Sequence, residues 1–122
     1  MVVFDTSAWI EYFLGSKKAL TVQNYVDSEQ EIFTPSVCLA ELRLKYEREM
    51  PSQTLACLTF VLKRSVIVNL DKETALLSAD NKLKHKLYLT DAIIYATAQL
   101  LKKELLTSDA DLRGLPGVVF LG

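Results

Sequence analysis

Short apolar runs alternate with amphipathic stretches along the whole chain, and this alternation constrains the fold more than any other feature. "MVVF" (1–4) reads as a short buried strand and "TSAWIEYFL" (6–14) as a helix stopped by Gly15 and Ser16. "ALTVQNYVDSEQ" (19–30) is a second helix, and "EIFT" (31–34) a strand running into Pro35. A long helix is expected from Pro35 to Met50, with Thr34 as its cap, Pro35 in its first turn and Pro51 as its stop. "SQTLACLTFVLKR" (52–64) is helical, and "SVIVNL" (65–70) has the β-branched content of a strand. "DKETALLSADNKLKHK" (71–86) is a helix capped by Asp71, and "TDAIIYATAQLLKKE" (90–104) a helix capped by Thr90. "LLTSD" (105–109) is a strand meeting a turn, and "GVVFL" (117–121) a further strand. Strands that alternate with helices predict an α/β fold, a mainly parallel sheet with helices on both faces. Such sheets bind ligands beyond the carboxyl ends of their strands, where Asp5 would stand.

At 122 residues the chain is the size of one domain, and no linker, repeat or low-complexity segment divides it. Half of its residues are hydrophobic. That surplus leaves two readings open: a well-filled core, or apolar surface covered by a partner such as a second copy. Lys and Arg number 14 against 15 Asp and Glu, so bulk charge does not advertise nucleic-acid binding. Cys38 and Cys57 lack metal-site spacing and fall in apolar helical stretches, as small core residues do. Nothing implies an oxidising compartment, a secretory signal or a transmembrane helix, so the expectation is a soluble cytoplasmic protein that does not touch a membrane.

Four acids carry the chemical interest, each with an ordinary alternative. Asp5 follows "VVF" and could simply cap the next helix, unless Thr6 or Ser7 does so. Glu41 lies within the apolar stripe of its helix, three or four residues from Val37 and Leu44. Burying an unpaired carboxylate is expensive. Glu41 therefore either reaches water or a basic partner at the stripe's edge, or serves a metal. Asp91 suits the first turn of a helix electrostatically, yet a ligand there would sit at the rim of the sheet. Asp109 and Asp111 suit a turn, but the strand before them would carry Asp109 to the sheet edge that holds Asp5. Clustered acids raise one another's pKa. Hard oxygen donors without a Cys or His set suit Mg²⁺ or Mn²⁺. The lone histidine, His85, sits in a lysine-rich stretch and reads as a surface residue.

With these residues assembled, the chain resembles the PIN-domain ribonucleases, especially the VapC toxins of prokaryotic toxin–antitoxin pairs. The strand leading into Asp5-Thr6-Ser7 and "WIEYF" is similar to the family's opening motif. "SVCLAEL" resembles the helix with the second acid, Glu41. "LTDAIIYATA" resembles the third motif, with Asp91, and "LLTSDADL" the fourth, with Asp109. The fourth motif often ends Asp-Phe, whereas here Leu112 follows Asp111, which leaves the role of Asp111 open.

The resemblance implies a PIN-like three-layer α/β/α sandwich with about five strands. It implies an endoribonuclease that hydrolyses RNA phosphodiesters with Mg²⁺ or Mn²⁺, a homodimer, and a cognate VapB-like antitoxin. Asp5, Glu41, Asp91 and Asp109 would be the catalytic metal ligands. Thr6, Ser7, Thr107 and Asp111 would aim them. Arg43, Lys84 and Lys86 are the expected RNA contacts, although basic helix faces are usually just solvated. Three rivals stand beside this reading. A receiver-type signalling domain gathers similar acids but uses a lysine after a late strand, which "LLTSD" lacks. The others are a PIN scaffold without catalysis and a PIN nuclease of RNA maturation or decay.

Overall fold

The computed structural model describes residues 1–122. Its elements are β1 (Val2–Phe4), α1 (Thr6–Leu14), α2 (Ala19–Val26), β2 (Ile32–Pro35), α3 (Ser36–Glu49), α4 (Thr54–Arg64), β3 (Val66–Val68), α5 (Lys72–His85), α6 (Leu89–Leu101), β4 (Glu104–Thr107) and β5 (Val118–Phe120). Single 3₁₀ turns cover Pro51–Gln53 and Ala110–Leu112. The strands form one sheet in the order β3-β2-β1-β4-β5, and every pairing is parallel.

Successive side chains of a strand point to opposite faces, so each strand feeds two cores. Val2 and Phe4 of β1, with Ile32 and Leu106, pack against Trp9, Val22, Val26, Leu42, Tyr46 and Val61 from α1 to α4. Val3 and Leu105 face the other way, onto Ala92, Ile94, Tyr95 and Ala98 of α6 and onto Leu112. Helices thus cover both faces of the sheet, as parallel strands require. Cys38 and Cys57 are buried free thiols, one in each core.

α1 ends where its sequence says it should. Gly15 takes φ +67°, and its N–H closes on the carbonyls of Glu11 and Tyr12. Only glycine adopts that left-handed position without strain.

Three local expectations need correction. The second helix stops at Val26 and does not run to Gln30. Beyond it the backbone turns around Arg64, whose Nε donates to the carbonyl of Val26 at 2.9 Å. Its Nη2 reaches the carbonyls of Tyr25, Ser28 and Gln30 at 3.0 Å each. A tertiary contact therefore outweighs helical pattern there.

Thr34 does not cap α3. Its hydroxyl accepts from Trp9 Nε1 at 3.0 Å and lies 2.7 Å from Ser65 Oγ, which itself donates to the carbonyl of Val61. The residue before α3 is Pro35, without a side-chain cap.

Thr90 lies inside α6, and the extended residue before that helix is Tyr88. The dipeptide Leu89-Thr90 has helical geometry, so the helix begins two residues before the expected start.

Much of the hydrophobic surplus is on the outside. Leu20, Leu44, Leu55, Leu62, Leu76, Leu83, Tyr88 and Leu89 are all more than half exposed. No helix is long and apolar enough to cross a membrane.

Candidate metal centre

The strand order places a crossover beside β1. The chain leaves β1 for β2 on one side and later returns through β4 on the other. Loops that diverge from two neighbouring strands open a crevice at their carboxyl ends. Asp5 follows β1 and Asp109 follows β4 by two residues, so both acids reach this crevice.

Asp5 does the ordinary job and stands in the acidic cluster as well. It caps α1, accepting from the Ala8 N–H at 2.8 Å and from Ser7 Oγ at 2.7 Å, both on Oδ1. The Thr107 hydroxyl donates to its other oxygen. Asp5 is only 3% exposed. Burial pushes its pKa up to about 6, although those three hydrogen bonds pull it down; the charge of Asp109 adds to the rise.

Ser7 and Thr107 clasp the two strand ends. Ser7 Oγ accepts from the Ser108 N–H at 2.9 Å, and Thr107 Oγ1 accepts from the Asp109 N–H at 2.9 Å. The two hydroxyls that hold Asp5 therefore also fix the backbone that carries Asp109.

Glu41 comes from the second turn of α3 and is half-buried. Thr6 Oγ1 donates to its Oε1 at 2.6 Å. One turn earlier on the same helix, Cys38 is buried against the site. Its thiol is pushed well above the usual range by burial, and the charges of Asp5 and Glu41 add to the effect.

Asp91 is half-buried in the first turn of α6. Its pKa rises to about 7, first through burial and then through the charges of Asp109, Glu41 and Asp5. The charges of all three other acids reach it, as they do across a shared pocket.

The tightest grouping is Asp91, Asp109 and Asp111, whose carboxylate oxygens lie within 4.8 Å of one another. Asp109 Oδ1 accepts from the Asp111 N–H at 2.9 Å, which folds the 3₁₀ turn that brings Asp111 back over the crevice. Asp111, expected to aim another ligand, thus stands beside Asp91 and Asp109 as an equal. A D-x-D pair after a strand, with its first member capping the turn that holds the second, is the sequence signal for this.

The expected basic contacts divide. Arg43 is two residues beyond Glu41, about 200° around the helix. It lines a separate hollow with Glu47, Pro51, Thr54, Leu55 and Leu58. Lys84 and Lys86 are exposed at the end of α5, ahead of the helix that carries Asp91. Lys45 and Arg48 share Glu41's side of α3 and line a hollow with it. The i, i+4, i+7 spacing would have found them.

Fold and site together define a three-layer α/β/α protein with an acid-lined crevice at the sheet's crossover. A PIN-domain family model matches residues 2–118, and the chain belongs to that family. Among solved structures, a chain of a toxin–antitoxin complex from Klebsiella pneumoniae is 28% identical, with a TM-score of 0.85 over 100% of this chain and 98% of that one. Mycobacterium tuberculosis VapC20, described as a sarcin-ricin loop cleaving toxin, is 16% identical with a TM-score of 0.79 over 97% of each chain. VapBC2 from Rickettsia felis, bound to a DNA fragment of its promoter, contributes a chain 15% identical with a TM-score of 0.78. The latter two likenesses bear on the fold alone. No curated relative matches the sequence.

Proposed function

We propose that the protein is a divalent-metal-dependent endoribonuclease and the toxin member of a toxin–antitoxin pair. The observation that carries this reading is the convergence of Asp5, Glu41, Asp91 and Asp109, from four separate elements, at one sheet edge. Membership of the PIN family and the 28% identity to a chain of a toxin–antitoxin complex support it.

The donor set fits a hard cation. Asp5 and Asp91 have pKa values raised to about 6 and about 7, so their ionised forms are poorly compensated by the protein alone. An ion supplies the missing charge. Only carboxylates are grouped here, which suits Mg²⁺ or Mn²⁺. Asp91, Asp109 and Asp111 would hold it most directly, with Asp5 and Glu41 completing the set. When bound, the ion activates water and neutralises charge on the phosphodiester.

The chain's own residues do the rest. Thr6 fixes Glu41, and Ser7 with Thr107 fixes Asp5, so these carboxylates do not need to reorganise when a substrate arrives. Glu41 or Asp91 would additionally orient the attacking water. The hydroxyls at the crevice, Thr6, Ser7 and Thr107, are spent on orienting Glu41 and Asp5, so none is assigned as a nucleophile and no covalent intermediate on the protein is part of this mechanism.

The partners follow from the same reading: RNA as substrate, an antitoxin protein and a second copy of the chain. The exposed leucines give such partners apolar surface to cover. Lys84 and Lys86 remain candidate phosphate contacts.

Cleavage of mixed RNA with Mg²⁺ or Mn²⁺ tests the reading. A chelator and the variants Asp5→Asn and Asp91→Asn should each abolish it. Variants that cut as fast as the parent, or an activity indifferent to chelator, would reject the site. Growth arrest on expression, rescued by the gene product encoded beside it, would separate a toxin from a nuclease of RNA maturation.

A further inference from the structure

The side of α3 that carries Glu41 continues beyond the crevice. Glu41, Lys45 and Arg48 are spaced i, i+4, i+7 and therefore share one stripe of the helix. With Leu44 and Glu49 they line an open hollow of about 370 Å³ that begins at the Glu41 carboxylate. The charges within it are not equivalent. Lys45 Nζ pairs with Glu49 at 2.5 Å, the one salt bridge of the chain. Arg48 forms no ion pair and no side-chain hydrogen bond, leaving its guanidinium free. Beside it, Leu44 is 55% exposed.

We infer that this hollow is the subsite for the nucleotide next to the scissile phosphate, with Arg48 as its phosphate contact; the inference rests on the ribonuclease reading above. A nucleotide presents an anionic phosphate and an apolar base face, and the hollow offers a counterpart to each. The uncompensated guanidinium of Arg48 suits bidentate binding of phosphate. Leu44 gives the base or ribose an apolar surface. Seven residues separate Arg48 from Glu41, roughly 10 Å along the helix, so Arg48 serves a flanking phosphate and not the reacting one. Lys45, neutralised by Glu49, contributes less. Arg43, on the other side of α3, does not enter this path.

The test measures binding of a fluorescein-labelled single-stranded RNA of mixed sequence, in chelator and in an Asp5→Asn background so that the probe stays intact. Arg48→Ala should weaken binding roughly tenfold and reduce the slope of log K against log salt by about 0.7, the share of one single-strand phosphate. Arg48→Lys should restore the salt slope and only part of the affinity, because an ammonium lacks the planar fork. Leu44→Ala should weaken binding without changing the slope. Lys103→Ala, at the opposite edge of the sheet, controls for net charge. In the Asp5 parent, Arg48→Ala should raise KM for RNA far more than it lowers kcat. Unchanged affinity and salt slope in Arg48→Ala, while Asp5→Asn abolishes cleavage, would overturn this subsite and leave the ribonuclease standing. Undiminished cleavage by Asp5→Asn would remove both.

Discussion

Thr6 Oγ1 donates a 2.6 Å hydrogen bond to Oε1 of Glu41, tying the first turn of α1 to the second turn of α3 across thirty-five residues of chain. Thr6→Val keeps the shape and removes the donor. Glu41 then loses its fixed orientation, and Mn²⁺ affinity should fall about 10–100-fold. Titration calorimetry reads the affinity, and an unchanged circular dichroism spectrum shows that the fold survives. Wild-type affinity in Thr6→Val would mean that this bond does not prepare the site.

Asp91 feels the charge of three other acids. Asp91→Asn should therefore do two opposite things. Cleavage should drop by more than the roughly 100-fold typical of losing an outer partner of a ligand. The metal-free protein should melt higher at pH 8, because one member of a mutually repelling group has been neutralised. A lower melting temperature would show that Asp91 is structural.

The metal-free protein should lose stability as pH rises. Asp5 and Asp91 have folded-state pKa values of about 6 and about 7 against 3.8 unfolded. Between pH 4 and these values the folded state binds more protons than the unfolded one, so stability is full below pH 4 and declines through pH 6 and 7. For Asp5, a rise of about two units corresponds to at most about 3 kcal/mol. Asp91 is half in water and adds less than its shift suggests. Mn²⁺ should reverse the trend, raising the melting temperature most at pH 8 and least near pH 5. Melting curves in chelator that are flat from pH 5 to 8 would contradict this.

Arg64 gathers four carbonyls from residues 25 to 30 and so holds the end of α2 and the approach to β2. Arg64→Ala should cost roughly 2–4 kcal/mol, since hydrogen bonds to a charged group are worth more than neutral ones. That corresponds to a fall of about 8–16 °C in melting temperature. Arg64→Lys should rescue little, because one ammonium cannot replace a planar fork.

Thr34 takes the indole N–H of Trp9 in the fully buried core. Thr34→Val leaves that donor unpaired and should destabilise by about 1–3 kcal/mol. Denaturant unfolding measures it. A neutral substitution would place another acceptor beside Trp9.

The fold was legible because period and punctuation agreed: short apolar runs made strands, and Gly15 and Asp71 marked helix ends where the structure has them. The errors lie where a distant residue decides. Nothing local to "VDSEQ" announces Arg64, and nothing local to Thr34 announces Trp9. The same holds for the site. Asp5, Glu41, Asp91 and Asp109 could be picked out by position relative to strands and helices. The near equality of Asp111 depends on a 3₁₀ turn, and the division between Arg43 and Arg48 on helical phase. Both are small angular facts that spacing encodes only once the helix boundaries are known.

The clasp between the ends of β1 and β4 also sets an order of events during synthesis. β1 leaves the ribosome before its neighbour β4, with α1 to α6 made in between. Until that strand arrives to dock, Asp5 has no Thr107 and Asp91 has no Asp109, so a chain stopped short of β4 holds Asp5, Glu41 and Asp91 without the pocket. Any antitoxin that recognises the finished crevice must wait for the same moment, and a truncation before residue 104 should leave a product with nothing to neutralise.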